Sequence, residues 1–161
     1  MKIEESTSIE TNDYRVIIYP ASRALASKEV KEITEKLYDF LSTWAAHGKP
    51  LSSSFKIEYK QFIIITVDEE QEAASGCSLD ALNGVMREID QTYTLGLFDR
   101  MKACFVEDNE IKTLPLIDFR NKIKNGELKD IEVFDFSKDT YLNYLSNFKL
   151  PLYHSWAGIY L

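Results

Sequence analysis

Cys77 lies in the string ASGCSLDAL, between an apolar run from Phe62 to Val67 and a helical pattern that starts near Leu79. A cysteine is nucleophilic as the thiolate, and the start of a helix favours that form, because unpaired backbone N–H groups and the positive end of the dipole stabilise negative charge. Ser75 and Ser78 stand ready to cap the helix, and Gly76 lets another group approach closely. Together they make Cys77 a candidate catalytic or sensor thiol. The competing reading makes Cys77 a small apolar plug at the end of a packed layer, with the serines acting only as caps. The lack of a second cysteine at redox spacing favours that reading.

Other residues offer weaker chemistry. His47, in WAAHGKPL, is expected at the end of the first helix, where it would cap the C-terminus and pack against Trp44. A Cys77–His47 dyad is not expected, since two parallel helices would put these positions at opposite poles. Arg100, in LFDRM, could hold an anion, although a local Asp99–Arg100 pair fixing the turn competes with that role. Asp68, Glu69 and Glu70 follow an apolar strand without a histidine or a calcium-loop glycine, so they read as a solvated loop and no metal or cofactor is expected. Cys104 reads as core, and no motif surrounds His154.

The elements that must position these residues are legible from periodicity. Tyr14 to Tyr19 is a β-branched and aromatic strand closed by Pro20. Ser27 is a plausible N-cap for a helix whose Val30, Ile33, Leu37, Phe40, Leu41 and Trp44 recur at helical spacing, with Gly48 as its stop. Phe55, Ile57 and Tyr59 alternate with charged residues, as in a half-buried strand, and a hairpin near Lys60 and Gln61 leads into the Phe62–Val67 run. That run is apolar on both faces and should be a central strand. Leu79, Leu82, Val85, Met86, Ile89 and Tyr93 mark a second helix. Lys102 to Val106 is a further strand, paired through a turn at 107–110 with Ile111 to Leu114.

Read in order, residues 14–106 predict a ferredoxin-like βαββαβ core in the α+β class. Residues 1–13 form a polar arm. Residues 107–161 form an extension packed on the core, with a helix opened by Pro115 and stopped by Gly126, a strand over 131–136, and a helix capped by Ser137 that carries Tyr141, Leu145 and Phe148. The apolar ending LYHSWAGIYL, with Trp156 and Tyr160, must pack on the core or on another subunit.

Composition excludes several roles. A formal charge of −7 and a pI near 4.9 repel phosphate backbones, and Lys28, Lys31 and Lys36 alternate with Glu29, Glu32 and Glu35 instead of forming a basic patch. Nucleic-acid binding is not expected. The longest apolar run falls far short of the roughly 20 residues that span a bilayer. The acidic start, MKIEESTSIETND, differs from a secretory leader, so a cytoplasmic protein with two reduced thiols is expected.

The strings WAAHGKPLSSSFKIEYKQFIIITVDE, ASGCSLDA and LFDRMKACF resemble a family of small bacterial proteins that commonly carry the automatic name "ABC transporter ATPase". The likeness extends over most of the chain. That name implies a nucleotide-binding domain, and the residues oppose it. The only Gly-Lys, Gly48-Lys49, is followed by Pro50 and lacks the upstream glycine of a phosphate-wrapping loop. IIITVDE is similar to a Walker B strand and ASGCS to the ABC signature, but their order is inverted. The segment NEIKTLPLIDFRNKIKNGELKDIEVFDF is also similar in layout to strand-helix-strand modules that accompany peptide-binding GYF-like domains.

The expected function is therefore a non-enzymatic module that binds a protein partner or another copy of itself, with Trp44, His47, Trp156 and Tyr160 as candidate contacts. The alternatives are a thiol-dependent enzyme or redox sensor built on Cys77, and a small-ligand pocket between the sheet and the C-terminal extension.

Overall fold

Two antiparallel sheets lie face to face, and helices close both outer faces. The structure is a computed structural model that describes residues 14–70 and 72–161, so the expected polar arm lies outside the described residues.

The first sheet takes β1 (Tyr14–Pro20), β4 (Ser52–Glu58) and β5 (Phe62–Asp68) in the order β1-β5-β4, with Ile17 and Phe55 both opposite Ile65. Strand alternation sends Tyr19, Ile63, Ile65 and Val67 to one face. There they meet Ile33, Leu37 and Leu41 of helix α1 (Ser27–Ser42) and Leu82, Met86 and Ile89 of helix α2 (Gly76–Tyr93). The alternate residues Val16, Ile18, Phe62 and Ile64 face the second sheet. This explains why β5 is apolar on both faces. Each such side chain contributes about 1.5–3 kcal/mol on burial. Between α1 and β4, a two-residue pair joins β2 (Ala45–Ala46) to β3 (Lys49–Pro50).

The second sheet runs β7-β6-β8-β9, from β6 (Lys102–Glu107), β7 (Glu110–Pro115), β8 (Glu132–Phe134) and β9 (Lys149–Pro151). Cys104 and Val106 point to the first sheet, while Ala103 and Phe105 point away from it. The seam between the sheets is aromatic: Phe62, Phe134 and Phe148 pack in tilted and edge-to-face contacts, with the Phe62–Phe134, Phe62–Phe148 and Phe134–Phe148 centroids 4.6, 5.2 and 5.1 Å apart. Helix α3 (Leu116–Lys124) and the 3-10 turns Leu152–His154 and Trp156–Tyr160 cover the far face, where Phe119 packs on Phe105. Helix α4 (Tyr141–Asn147) lies at the end of the seam, where Tyr144 donates a hydrogen bond to Glu58. Among the described residues, no helix is long and apolar enough to cross a membrane.

The α+β class is as expected, but the four-stranded ferredoxin-like sheet does not form. Its intended fourth strand, β6, pairs with β7 and β8 instead of β1. The β6–β7 hairpin closes locally through Asp108 and Asn109, both at positive φ, as expected, and the other edge of β6, the one β1 would have needed, is taken by β8. The free edge of β1 is met by the stretch before α4: Val16 N–H donates to the Asp139 carbonyl, and Arg15 bridges Thr140. Sheet membership consequently divides the chain between α2 and β6.

Helix boundaries shift as well. Ala26 is the N-cap of α1, with the Glu29 carboxylate accepting from its N–H, and the helix ends at Thr43, before Gly48. Thr140, not Ser137, caps α4.

A thiol, a cleft and an apolar rim as candidate sites

Ser75 caps α2: its hydroxyl accepts from Ser78 N–H, and the Ser78 hydroxyl accepts from Ser75 N–H. Both serine side chains are thus engaged in the cap, and neither is hydrogen-bonded to the thiol among the described residues. Cys77 lies between them, exposed at the surface, so it is neither a plug in the packed layer nor the floor of a pocket. A Cβ built on Gly76 would meet nothing within 4 Å, so no close approach requires glycine there.

α1 and α2 run antiparallel, contrary to expectation. Each helix reverses the direction of the strand before it, and those strands, β1 and β5, are themselves antiparallel. Trp44 Nε1, just past α1, therefore reaches the Ser78 carbonyl in the first turn of α2 over 2.8 Å. At the other pole, Tyr93 donates to Glu32, while Arg23 reaches the Tyr93 carbonyl. His47 shares the pole of Cys77, yet it does not cap α1. It occupies the β2–β3 turn at φ +53°, next to Gly48 at +78°, exposed and without a hydrogen bond to another described residue. No Cys77–His47 hydrogen bond exists among the described residues.

The acidic loop is also committed to structure. Asp68 accepts from Glu70 N–H, and Glu69 accepts from Ala74 N–H and lies 3.8 Å from Arg15. Among the described residues, no group of three metal-ligating side chains assembles. Cys104 is buried beside Thr113 and Gln61, and burial pushes its thiol pKa up.

Two residues predicted for unrelated reasons, Arg100 and Trp156, line one cleft of about 510 Å³. Phe136, Asp135, Ser137 and Lys102 line it with them. The cleft is lined by the start of β6, the end of β8 with the stretch that follows it, and the C-terminal segment, so no residue of the first sheet contributes to it. Asp99 does not pair with Arg100. Its carboxylate accepts from Met101 N–H and fixes the turn, while Arg100 Nη2 makes one long bond, 3.3 Å, to the Ile18 carbonyl. The Asp135 carboxylate accepts from the Ser137 hydroxyl and N–H, and an ion pair at 3.2 Å joins it to Lys138. Its pKa falls, the hydrogen bonds and that cation outweighing the opposing effect of burial.

Lys102 is the residue that sequence reasoning missed. It is 4 % exposed, and its ammonium donates to Pro20 O, Ser22 Oγ and Gly96 O, each at 2.7 Å. Three acceptors match the three N–H bonds of a charged lysine, although burial pulls the pKa down. The available signal was a lysine opening a strand whose next residues are wholly buried.

Trp156 Nε1 donates to Phe134 O, and its ring packs on Phe119 and Tyr160. Beyond this anchor, Tyr153 and Ile159 are 78 % and 82 % exposed. Comparison with known protein families, curated proteins and solved structures finds no match to this chain.

Proposed function

We propose that this protein is a non-enzymatic binding module that engages another protein surface, a second copy of itself being the first candidate. The observation that carries the reading is the outward display of Tyr153 and Ile159 on a segment whose Leu152 and Ala157 are fully packed. A rigidly anchored turn that holds large apolar side chains in water presents them at low ordering cost, which suits recognition.

The reading is compatible with kinship to the small bacterial family whose strings the chain resembles, and with work in the cytoplasm, which two free cysteines support. It assigns the family's customary ATPase title no role, because the sequence holds no phosphate loop. Light scattering across a concentration series, together with a pull-down, tests it. Ile159→Asp and Tyr153→Ser should abolish a dimer or a recovered complex while leaving the circular dichroism spectrum unchanged. A monomer at all concentrations that recovers no partner would refute the reading.

A further inference from the structure

We propose that the cleft between Arg100 and Trp156 binds a small organic anion with a flat apolar body, the anionic head on Arg100 and the body against Trp156 and Phe136. Among the described residues no carboxylate pairs with Arg100. Asp99 is turned to its own backbone, and Asp135, the one carboxylate lining the cleft, is already engaged by Ser137 and Lys138. The guanidinium keeps most of its five N–H donors unused, its long bond to Ile18 being the exception.

Lys102, which also lines the cleft, adds a second positive charge, buried and bonded only to neutral oxygens. In a chain of formal charge −7, this cleft places two cations together, neither of them in an ion pair with a carboxylate among the described residues. Arginine presents two parallel donors to a carboxylate, sulfonate or phosphate, and the aromatic walls supply the apolar remainder of a small-molecule site. The volume, about 510 Å³, accommodates a bicyclic aromatic acid.

The test uses 2-naphthoate and its neutral isostere 2-naphthamide, titrated into the full-length protein by isothermal calorimetry and followed in ¹H–¹⁵N spectra. Naphthoate should bind and shift the Phe136 and Ser137 amides and the Trp156 indole N–H, and naphthamide should bind about tenfold or more weakly. Arg100→Gln should bring naphthoate down to the amide's affinity, and Arg100→Lys should restore part of the loss. Arg100 is exposed and makes a single long bond, so both variants should fold, as the spectra themselves report. Inorganic phosphate should compete poorly because it lacks the apolar body. Equal binding of acid and amide, no loss in Arg100→Gln, shifts mapping elsewhere, or no binding at all would each overturn the assignment.

Discussion

Trp44 Nε1 donates to the Ser78 carbonyl at 2.8 Å, a bond that ties the end of α1 to the first turn of α2 and fixes the antiparallel helix pair. The ring itself is buried and packs on Phe40 at 5.9 Å. Packing and hydrogen bonding are therefore separable by mutation.

Trp44→Phe keeps an aromatic body but deletes the donor, and should cost about 1 kcal/mol. Trp44→Ala also opens a cavity and should cost about 3–5 kcal/mol. Urea unfolding measures both, and equal losses would show that the ring packing contributes little.

Gly96 is held at φ +71°, and an added Cβ would lie 2.6 Å from Ser22 Oγ, one of the acceptors of Lys102. Gly96→Ala should therefore lose more than the roughly 1–2 kcal/mol of left-handed backbone strain alone. A loss within that range would mean that Ser22 moves aside freely. The same urea experiment reads it.

Stability should fall in acid through Glu29. Its carboxylate pairs with Arg23 through two 2.9 Å bonds and accepts from Ala26 N–H, which together hold its pKa down to about 2. Because the folded pKa lies below the unfolded value of 4.5, the contribution is present above pH 4.5 and is lost as pH falls towards 2. Glu29→Gln should flatten the stability profile across that window. Identical acid profiles for the two proteins would remove Glu29 from the account. The pair is partly exposed, so added salt should weaken the effect.

The thiols should separate cleanly. Cys77 should react with a disulfide reagent in the native state, while Cys104, buried with its pKa pushed up, should react only on unfolding. Absorbance of the released thiolate counts each class. Cys77→Ser should change stability by less than about 0.5 kcal/mol, as expected of an exposed position outside the core. A larger loss would indicate packing that its exposure does not suggest.

Local pattern made much of this molecule legible. Alternation and β-branched residues located β1, β4, β5, β6 and β7, and helical spacing located α1 and α2, because those signals depend only on which side chains must leave water. Pro115 and Gly126 likewise bracket α3 as expected. Strand partnership was legible for the local β6–β7 hairpin alone: β6 carries the same apolar alternation whether its other edge meets β1 or β8, and in the fold β8 takes that edge.

For the site, residue chemistry by itself nominated Arg100 and Trp156 separately, and pointed to Cys77 for properties that any exposed helix start shares. Only the tertiary structure brought Arg100 and Trp156 to one cleft, turned Asp99 away, and buried Lys102 against three oxygens. A sequence fixes which groups must be buried or capped locally. Which distant groups then share a space depends on how the two sheets stack, and that is decided by packing between segments far apart in the chain.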